Sequence, residues 1–433
     1  MRIPTVFLLL AGAVLAHPAA VSARADLAVA PAARVAIVGD SITEQKLYSK
    51  FMECYLLASS GVPDVQVMQF GWGGERANGF ATRGENDLAV FRPTLATLCY
   101  GMNDGGYQPW NDGIGAEYEK NMRSVLSMLQ GAGVRTIVVG SPGAVDTNFF
   151  RPGQKMGDRP AHEAYNDTLA HLRDIDRKLA TEGKWRFADV HAAMFDAMTK
   201  ANAARGATYD VCGRDGFHPG PNGQLLMAYA FLKALGCDGD IGRIEVAAGN
   251  GVKEPGPGHR LVSQTVGPDG ATVELESTRW PFCFDGNGQE SGGTRSILPF
   301  VPFNQDLNRF TLQVTGLDSP KAEVVWGEER REFTKEQLAA GVNLAAEFTK
   351  TPFDQAFARL QAAVAAKQGF ETFMIKQIVT DFRLIPGIEG DEEARKAADV
   401  LSRKLMARWE ELDKAARSQV VPVRHTVTVK ALR

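Results

Sequence analysis

The 433-residue sequence predicts an α/β fold with a parallel sheet in its first half, followed by a β-rich module and a helical region. Three observations carry this. Short apolar runs alternate with longer amphipathic stretches as far as Cys237, the order expected of strands joined by crossover helices. One run, Thr136-Ile137-Val138-Val139, is apolar almost without interruption, as a strand covered on both faces must be. Glycine-rich polar clusters follow directly after three of the runs, where open parallel sheets gather their ligands.

The first strand, Val35-Ala36-Ile37-Val38, delivers Gly39-Asp40-Ser41-Ile42 to a strand-to-helix turn. Gly suits the turn and Asp or Ser suits a helix N-cap, while the Ser41 hydroxyl becomes a candidate nucleophile. A helical stretch over 41–60 leads to the strand Val65-Gln66-Val67-Met68 and then to Phe70-Gly71-Trp72-Gly73-Gly74-Glu75-Arg76. Glycines there let backbone N–H groups approach a ligand closely. The third strand, Leu95 to Tyr100, runs into Gly101-Met102-Asn103-Asp104-Gly105. A helix over 116–131, the fourth strand, a Gly-, Pro- and Asp-rich loop over 140–159 and a helix over 161–182 come next. That loop is expected to overhang the site. A fifth strand, Trp185 to Ala188, precedes a helix over 191–204, and Asp215-Gly216-Phe217-His218-Pro219 precedes the last helix of this half, over 222–235.

These residue types belong together chemically. A serine hydroxyl attacking an ester needs a base for its proton, and an imidazole titrating near ~6.5 in water is suited to that task. His218 is the candidate base, and Asp215, three residues earlier, is the candidate group that orients it. The oxyanion of the tetrahedral intermediate needs donors already aimed at it. The backbone N–H groups of Ser41 and Gly74 and the Asn103 amide are the candidates. Asp40, Trp72 and Gly73 adjoin these and are expected to meet substrate.

In this pattern the sequence resembles the SGNH hydrolase superfamily of GDSL-type esterases and lipases. Ser41 matches the block I serine of Gly-Asp-Ser-Ile, and Gly74 matches the block II glycine, an assignment that can slip to Gly73. Asn103 matches the block III asparagine, and Asp215 with His218 the block V Asp-x-x-His. The resemblance spans about 34–237. It implies a three-layer α/β/α sandwich on a five-stranded parallel sheet of flavodoxin-like type. It further implies ester hydrolysis through an acyl-serine, with no metal and no organic cofactor.

A formal net charge of −3 gives no basic footprint for nucleic acid. Residues 1–23 read as a signal peptide: Arg2, an apolar core from Val6 to Leu15, and the small residues Val21-Ser22-Ala23 at a cleavage site. Export to a periplasmic or extracellular space follows, with no membrane span after cleavage. Cys54, Cys99, Cys212, Cys237 and Cys283 show no metal spacing; Cys212 and Cys237 could pair in an oxidising compartment. The catalytic unit is read as 30–237 and a β-rich accessory module as 238–332 plus 420–433, with a helical region, 333–419, inserted before its last strand. That helical region includes stretches over 353–368, 370–382 and 391–416. Trp280, Phe282, Phe284 and Trp326 read either as sugar-stacking platforms or, by the ordinary burial of aromatics, as core of the module.

The sequence therefore predicts an exported serine esterase releasing short acyl groups, acetyl foremost, from a small-molecule or polysaccharide ester. The carbohydrate part draws on export, the accessory module and the many such esterases in the family it resembles. Lipase, lysophospholipase or thioesterase activity is the alternative within enzymes, and a non-catalytic glycan-binding surface protein the alternative outside them. Oligomeric state is not written in these motifs.

Overall fold

The first strand is apolar on both sides because it lies near the middle of a covered sheet, and Val35 to Val38 are fully buried. In the computed structural model, which describes residues 27–253, 255–384 and 390–432, five parallel strands form this sheet. They are β1 (Arg34–Gly39), β2 (Gln66–Gln69), β3 (Leu95–Cys99), β4 (Thr136–Gly140) and β5 (Arg186–Ala188), in the order β2-β1-β3-β4-β5. The expected signal peptide, 1–23, lies outside the described residues.

Alternate strand residues feed two cores. Val35, Ile37, Val67 and Val138 pack with α2 (Tyr48–Ala58), α6 (Val190–Arg205) and α7 (Pro221–Ala234). Ala36, Val38, Met68, Leu98 and Val139 pack with α3 (Ala77–Phe91), α4 (Asp112–Gly131) and the later turns of α5 (Ala161–Gly183). The three-layer expectation therefore holds. The helix expected over 41–60 is broken: α1 (Ser41–Glu44) is a single turn, and Lys46, at φ +59°, separates it from α2. Helix α3 has no counterpart in the sequence reading.

In strand order 2-1-3-4-5 the chain reverses direction between β1 and β3, which opens a crevice at their carboxyl ends. Ser41 follows β1 and Asn103 follows β3, so both stand at that crevice.

Past Cys237, two sheets face each other. One is antiparallel: β7 (His259–Gly267), β8 (Gly270–Ser277), β12 (Val423–Leu432), β10 (Lys321–Trp326) and β11 (Glu329–Thr334). The other sets β6 (Asp240–Ala247) parallel to β9 (Arg309–Thr315), with short edge strands on either side. The Phe310 ring of β9 stacks on Trp326 of β10 at 5.6 Å across the interface. Trp280, Phe282, Phe284 and Trp326 are all buried in this core, as the core reading of those rings expects, and do not form a sugar-stacking surface.

The C-terminal helices pack on the catalytic domain itself. Residues 354–384 form one helical run, α8 (Asp354–Phe373) continuing through a π-helical stretch at Met374–Thr380, where the sequence suggested two helices. Helix α9 (Glu392–Arg417) buries Trp409, whose ring meets Phe91 edge-on at 5.4 Å, but the rest of its expected apolar stripe, Ala394 to Leu405, is only partly covered. All five cysteines are buried and free, which corrects the Cys212–Cys237 pairing.

Candidate active site

Gly39 ends β1 where no side chain fits: a Cβ there would lie 2.7 Å from the Cys99 carbonyl oxygen. The chain turns at once into α1. Asp40 is its N-cap, its Oδ1 accepting the Ile42 N–H at 2.9 Å, and this places Ser41 on the first helical residue. Asp40 is 3% exposed. Burial pushes its carboxyl up to about 7, with the Ile42 N–H pulling the other way.

The Ser41 Oγ lies 2.8 Å from His218 Nε2, and His218 Nδ1 lies 2.6 Å from Asp215 Oδ2. With an ionised carboxylate at Nδ1, that nitrogen carries the proton, so Nε2 presents its lone pair to the serine O–H. The other oxygen of Asp215 accepts the backbone N–H groups of Phe217 and His218 at 3.1 and 3.0 Å. Partial burial pushes the Asp215 carboxyl upward, but the His218 ring and these two N–H groups outweigh it and hold it below the usual carboxylate range.

The loop over 140–159 does more than overhang. Asp146, fully buried, donates its N–H to the Gly216 carbonyl at 2.7 Å, and its Oδ2 accepts from Val211 and Cys212 at 3.0 and 3.2 Å. One residue thus clamps the segment that carries Asp215 and His218, with its backbone at Gly216 and its carboxylate at Val211 and Cys212.

The glycine cluster is tied to the end of β1 by the Trp72 N–H donating to the Gly39 carbonyl at 3.1 Å. Gly74 holds φ +72°, a conformation that favours glycine, and its N–H finds no partner among the described residues. Next to it, Glu75 is locked from below. Arg83 grips its carboxylate with two bonds of 2.7 and 2.8 Å, and Tyr100 donates to it at 2.7 Å. The Glu75 carbonyl accepts one Asn103 amide N–H at 3.0 Å, and the Tyr107 hydroxyl donates to Asn103 Oδ1 at 2.9 Å. This fixes the amide's orientation and leaves its second N–H uncommitted.

Trp72 and Gly73 stand at the outer side of this loop. The Lys376 ammonium, from the π-helical stretch, sits 4.8 Å from the Trp72 ring centre and 2.7 Å from the carboxylate of Glu44. Among the described residues no trio of acidic, His or Cys side chains is arranged to hold a metal ion.

Residues 37–226 match the model of the GDSL-like lipase/acylhydrolase family. That segment is therefore a domain of the SGNH/GDSL type. The SGNH/GDSL domain is accordingly an ester hydrolase. A solved structure of a gut microbial diltiazem-metabolizing enzyme is 20% identical, with a TM-score of 0.71 over 93% of this chain and 98% of that one. The fold is thus shared across the C-terminal region as well. An acetylxylan esterase of Geobacillus stearothermophilus, solved as a catalytic mutant, is 19% identical over 48% of this chain and 96% of its own, with a TM-score of 0.38. An alpha/beta hydrolase from the metagenome of Lake Arreo, Spain, is 21% identical over 49% and 98%, with a TM-score of 0.39. No curated protein matches the chain at a significant level.

Sequence reasoning did not assign Arg83 or Asp146 within the GDSL-type domain, nor Lys376 from the C-terminal helices. Tyr107 was visible only as a residue adjoining the Asn103 motif, and it reaches Asn103 from a turn, at φ +54°. Lys376 lies 332 residues from Glu44 and carried no signal.

Proposed function

We propose that the protein is an exported serine esterase that removes short acyl groups, acetyl foremost, from carbohydrate. The observation that carries the reaction is the line from Ser41 Oγ to His218 to Asp215 at 2.8 and 2.6 Å. His218 Nε2 takes the hydroxyl proton as Ser41 attacks the acyl carbon, while Asp215 holds the ring and steadies the imidazolium. The oxyanion is received by the N–H groups of Ser41 and Gly74 and the free Asn103 N–H. His218 then hands its proton to the departing alcohol. Water, deprotonated by the same nitrogen, releases the acid from Ser41.

Export is supported by Arg2, the apolar run from Val6 to Leu15 and the small residues that follow. Among the described residues no helix is long and apolar enough to cross a membrane.

Hydrolysis of chromogenic esters of increasing chain length, run beside acetylated glycans, tests this. Wild type should release acetate and lose rate as the chain lengthens. Ser41→Ala should retain at most about 10³- to 10⁴-fold over water, and Asn103→Ala should lose about 10²- to 10³-fold in kcat. Near-native turnover in Ser41→Ala would remove the nucleophile, and preference for long chains would overturn the acetyl assignment.

A further inference from the structure

The helical run over 354–384 lies along β2 and the glycine loop that follows it, and residues four apart on the run make the contacts. The Gln69 amide donates to the Gln368 carbonyl at 3.4 Å and to the Thr372 hydroxyl at 2.6 Å. Lys376 reaches Glu44 and Trp72, and Thr380 donates to Asp87 at 3.0 Å. In an α-helix such residues drift around the axis by about 40° a step, which carries the later ones off a contact face. The π-helical turns of Met374–Thr380 are wider and take that drift back, so Lys376 and Thr380 stay on it.

Lys376 spans a seam. On one side is α1, the single turn that begins at Ser41 and ends at Glu44; on the other is the loop that leads to the Gly74 N–H. The two meet at Gly71, where a Cβ would run into the Glu44 backbone, and at Gly73, where a Cβ would lie 2.8 Å from Glu44 Oε2. The Lys376 ammonium holds the other Glu44 oxygen at 2.7 Å and stands 4.8 Å from the centre of the Trp72 ring, which the Arg83 guanidinium approaches to 4.9 Å. The Lys376 and Glu44 side chains are 20 and 25% exposed, so salt and water screen them less than an open surface pair. The run also grips the loop at a second point, because Gln69, held by Thr372, accepts the Gly71 N–H on its Oε1 at 2.9 Å.

We propose that Lys376 is a positioning residue for ester hydrolysis: from the C-terminal helical run it ties the nucleophile turn to the oxyanion loop, and so sets the spacing between Ser41 and the Gly74 N–H. This rests on the serine esterase reading above. A lysine that only stabilised the fold would change how many molecules are native. A positioning lysine changes how fast each native molecule turns over.

The readout is therefore kcat per active site for 4-nitrophenyl acetate, with sites counted by end-point titration with a 4-nitrophenyl phosphonate, which forms a covalent adduct with the serine and releases one 4-nitrophenolate per site. Lys376→Met should lower kcat per site roughly tenfold, short of the loss expected when an oxyanion donor is removed outright, with KM little changed. Lys376→Arg should recover most of it, since a guanidinium also pairs with a carboxylate and stacks on an aromatic face. Glu44→Gln should lose a similar amount, and adding Lys376→Met to it should cost almost nothing more, because the two residues act through one contact. Turnover per titrated site within about twofold of wild type in both single variants overturns the proposal. Activity that falls only in step with the number of titrated sites overturns it too, as does an equal loss per site in the Arg and Met variants. Glu44→Gln keeps the shape of the side chain and reads the same link, so a poorly folding Lys376→Met does not remove the test. If Ser41→Ala is inactive while kcat per site is unmoved in both variants, only the role of Lys376 falls. If Ser41→Ala turns over at the wild-type rate, the esterase reading falls and the positioning role with it.

Discussion

Tyr107 shows how one hydroxyl acts on the reaction through another side chain. Its O–H donates to Asn103 Oδ1 at 2.9 Å, while Asn103 Nδ2 donates to the Glu75 carbonyl at 3.0 Å, so the amide is held from both ends. Removing the phenol leaves one tether and lets the second N–H wander from the oxyanion. Tyr107→Phe should therefore lower kcat roughly five- to tenfold, the worth of one hydrogen bond, with little change in KM. In an Asn103→Ala background the same change should cost almost nothing, because a positioning residue has no effect once its client is gone. Equal losses in both backgrounds would assign Tyr107 to packing against Phe150 and Tyr165. Ser41, Asn103, Asp215 and His218 were legible in the sequence because each sits in a short motif whose neighbours perform the local turn. Asp146 was not, since its work is done on residues 211, 212 and 216, far along the chain.

At the scale of elements, β2 is an edge strand with backbone groups that its sheet leaves unpaired, and helix α8 supplies their partners. The Gln69 N–H donates to Glu371 Oε2 at 3.0 Å, and the Lys367 ammonium donates to the Val67 carbonyl. Lys367 is fully buried between Glu53 at 2.9 Å and Glu371 at 2.8 Å. Burial pulls its pKa down, but the two carboxylates outweigh that and hold it charged. Lys367→Met would leave two buried carboxyls and a strand carbonyl without their cation. A loss of about 3–5 kcal/mol in denaturant unfolding is expected, largely recovered when Glu53→Gln and Glu371→Gln accompany it. If the single change costs under about 1 kcal/mol, the clamp is not what holds this edge. None of this was readable beforehand, because a lysine in a helical period reads as solvated surface. Helix α3 was missed for a related reason: Gly79 and Gly84 interrupt it, and its buried polar residues Arg83 and Asp87 break the apolar stripe. The five strands, by contrast, were visible because burial on both faces forces nearly continuous apolar runs.

For the whole molecule, the question is what unites the two faces of the C-terminal sandwich across an insertion of helices. Strand β12 pairs with β8 on one side and β10 on the other, so the last segment of chain closes a sheet begun long before. At its centre a buried polar chain joins both sheets. The Trp326 indole N–H donates to His425 Nδ1 at 3.2 Å, so the His425 proton sits on Nε2 and goes to Ser277 Oγ at 2.9 Å. Ser277 in turn donates to His259 Nδ1 at 2.8 Å, and His259 Nε2 donates to the Ile241 carbonyl at 2.8 Å. Every member is satisfied only while both rings are neutral. Burial drives the His425 pKa down to about 3, with His259 adding to it, and burial lowers His259 as well. An unfolded histidine takes up its proton near ~6.5, so the unfolded chain binds more protons between about 3 and ~6.5, and this network's stabilisation is complete above that window and lost as pH falls through it. Buried acids act in the opposite direction: Asp40 and Glu53, raised to about 7, and Asp104, raised to about 6, weaken the fold as pH rises through those values. The two trends overlap, so the wild-type stability profile alone hides the histidines and a variant has to isolate one. His425→Gln should destabilise strongly at pH 7, and by roughly 3 kcal/mol less at pH 4, where the wild type holds its own ring neutral at a cost of ~1.4 kcal/mol per pH unit. Denaturant unfolding of both proteins at the two pH values reads the difference directly. An equal penalty at both would mean that His425 carries a proton in the folded state, and the alternating donor chain across the sandwich could not exist.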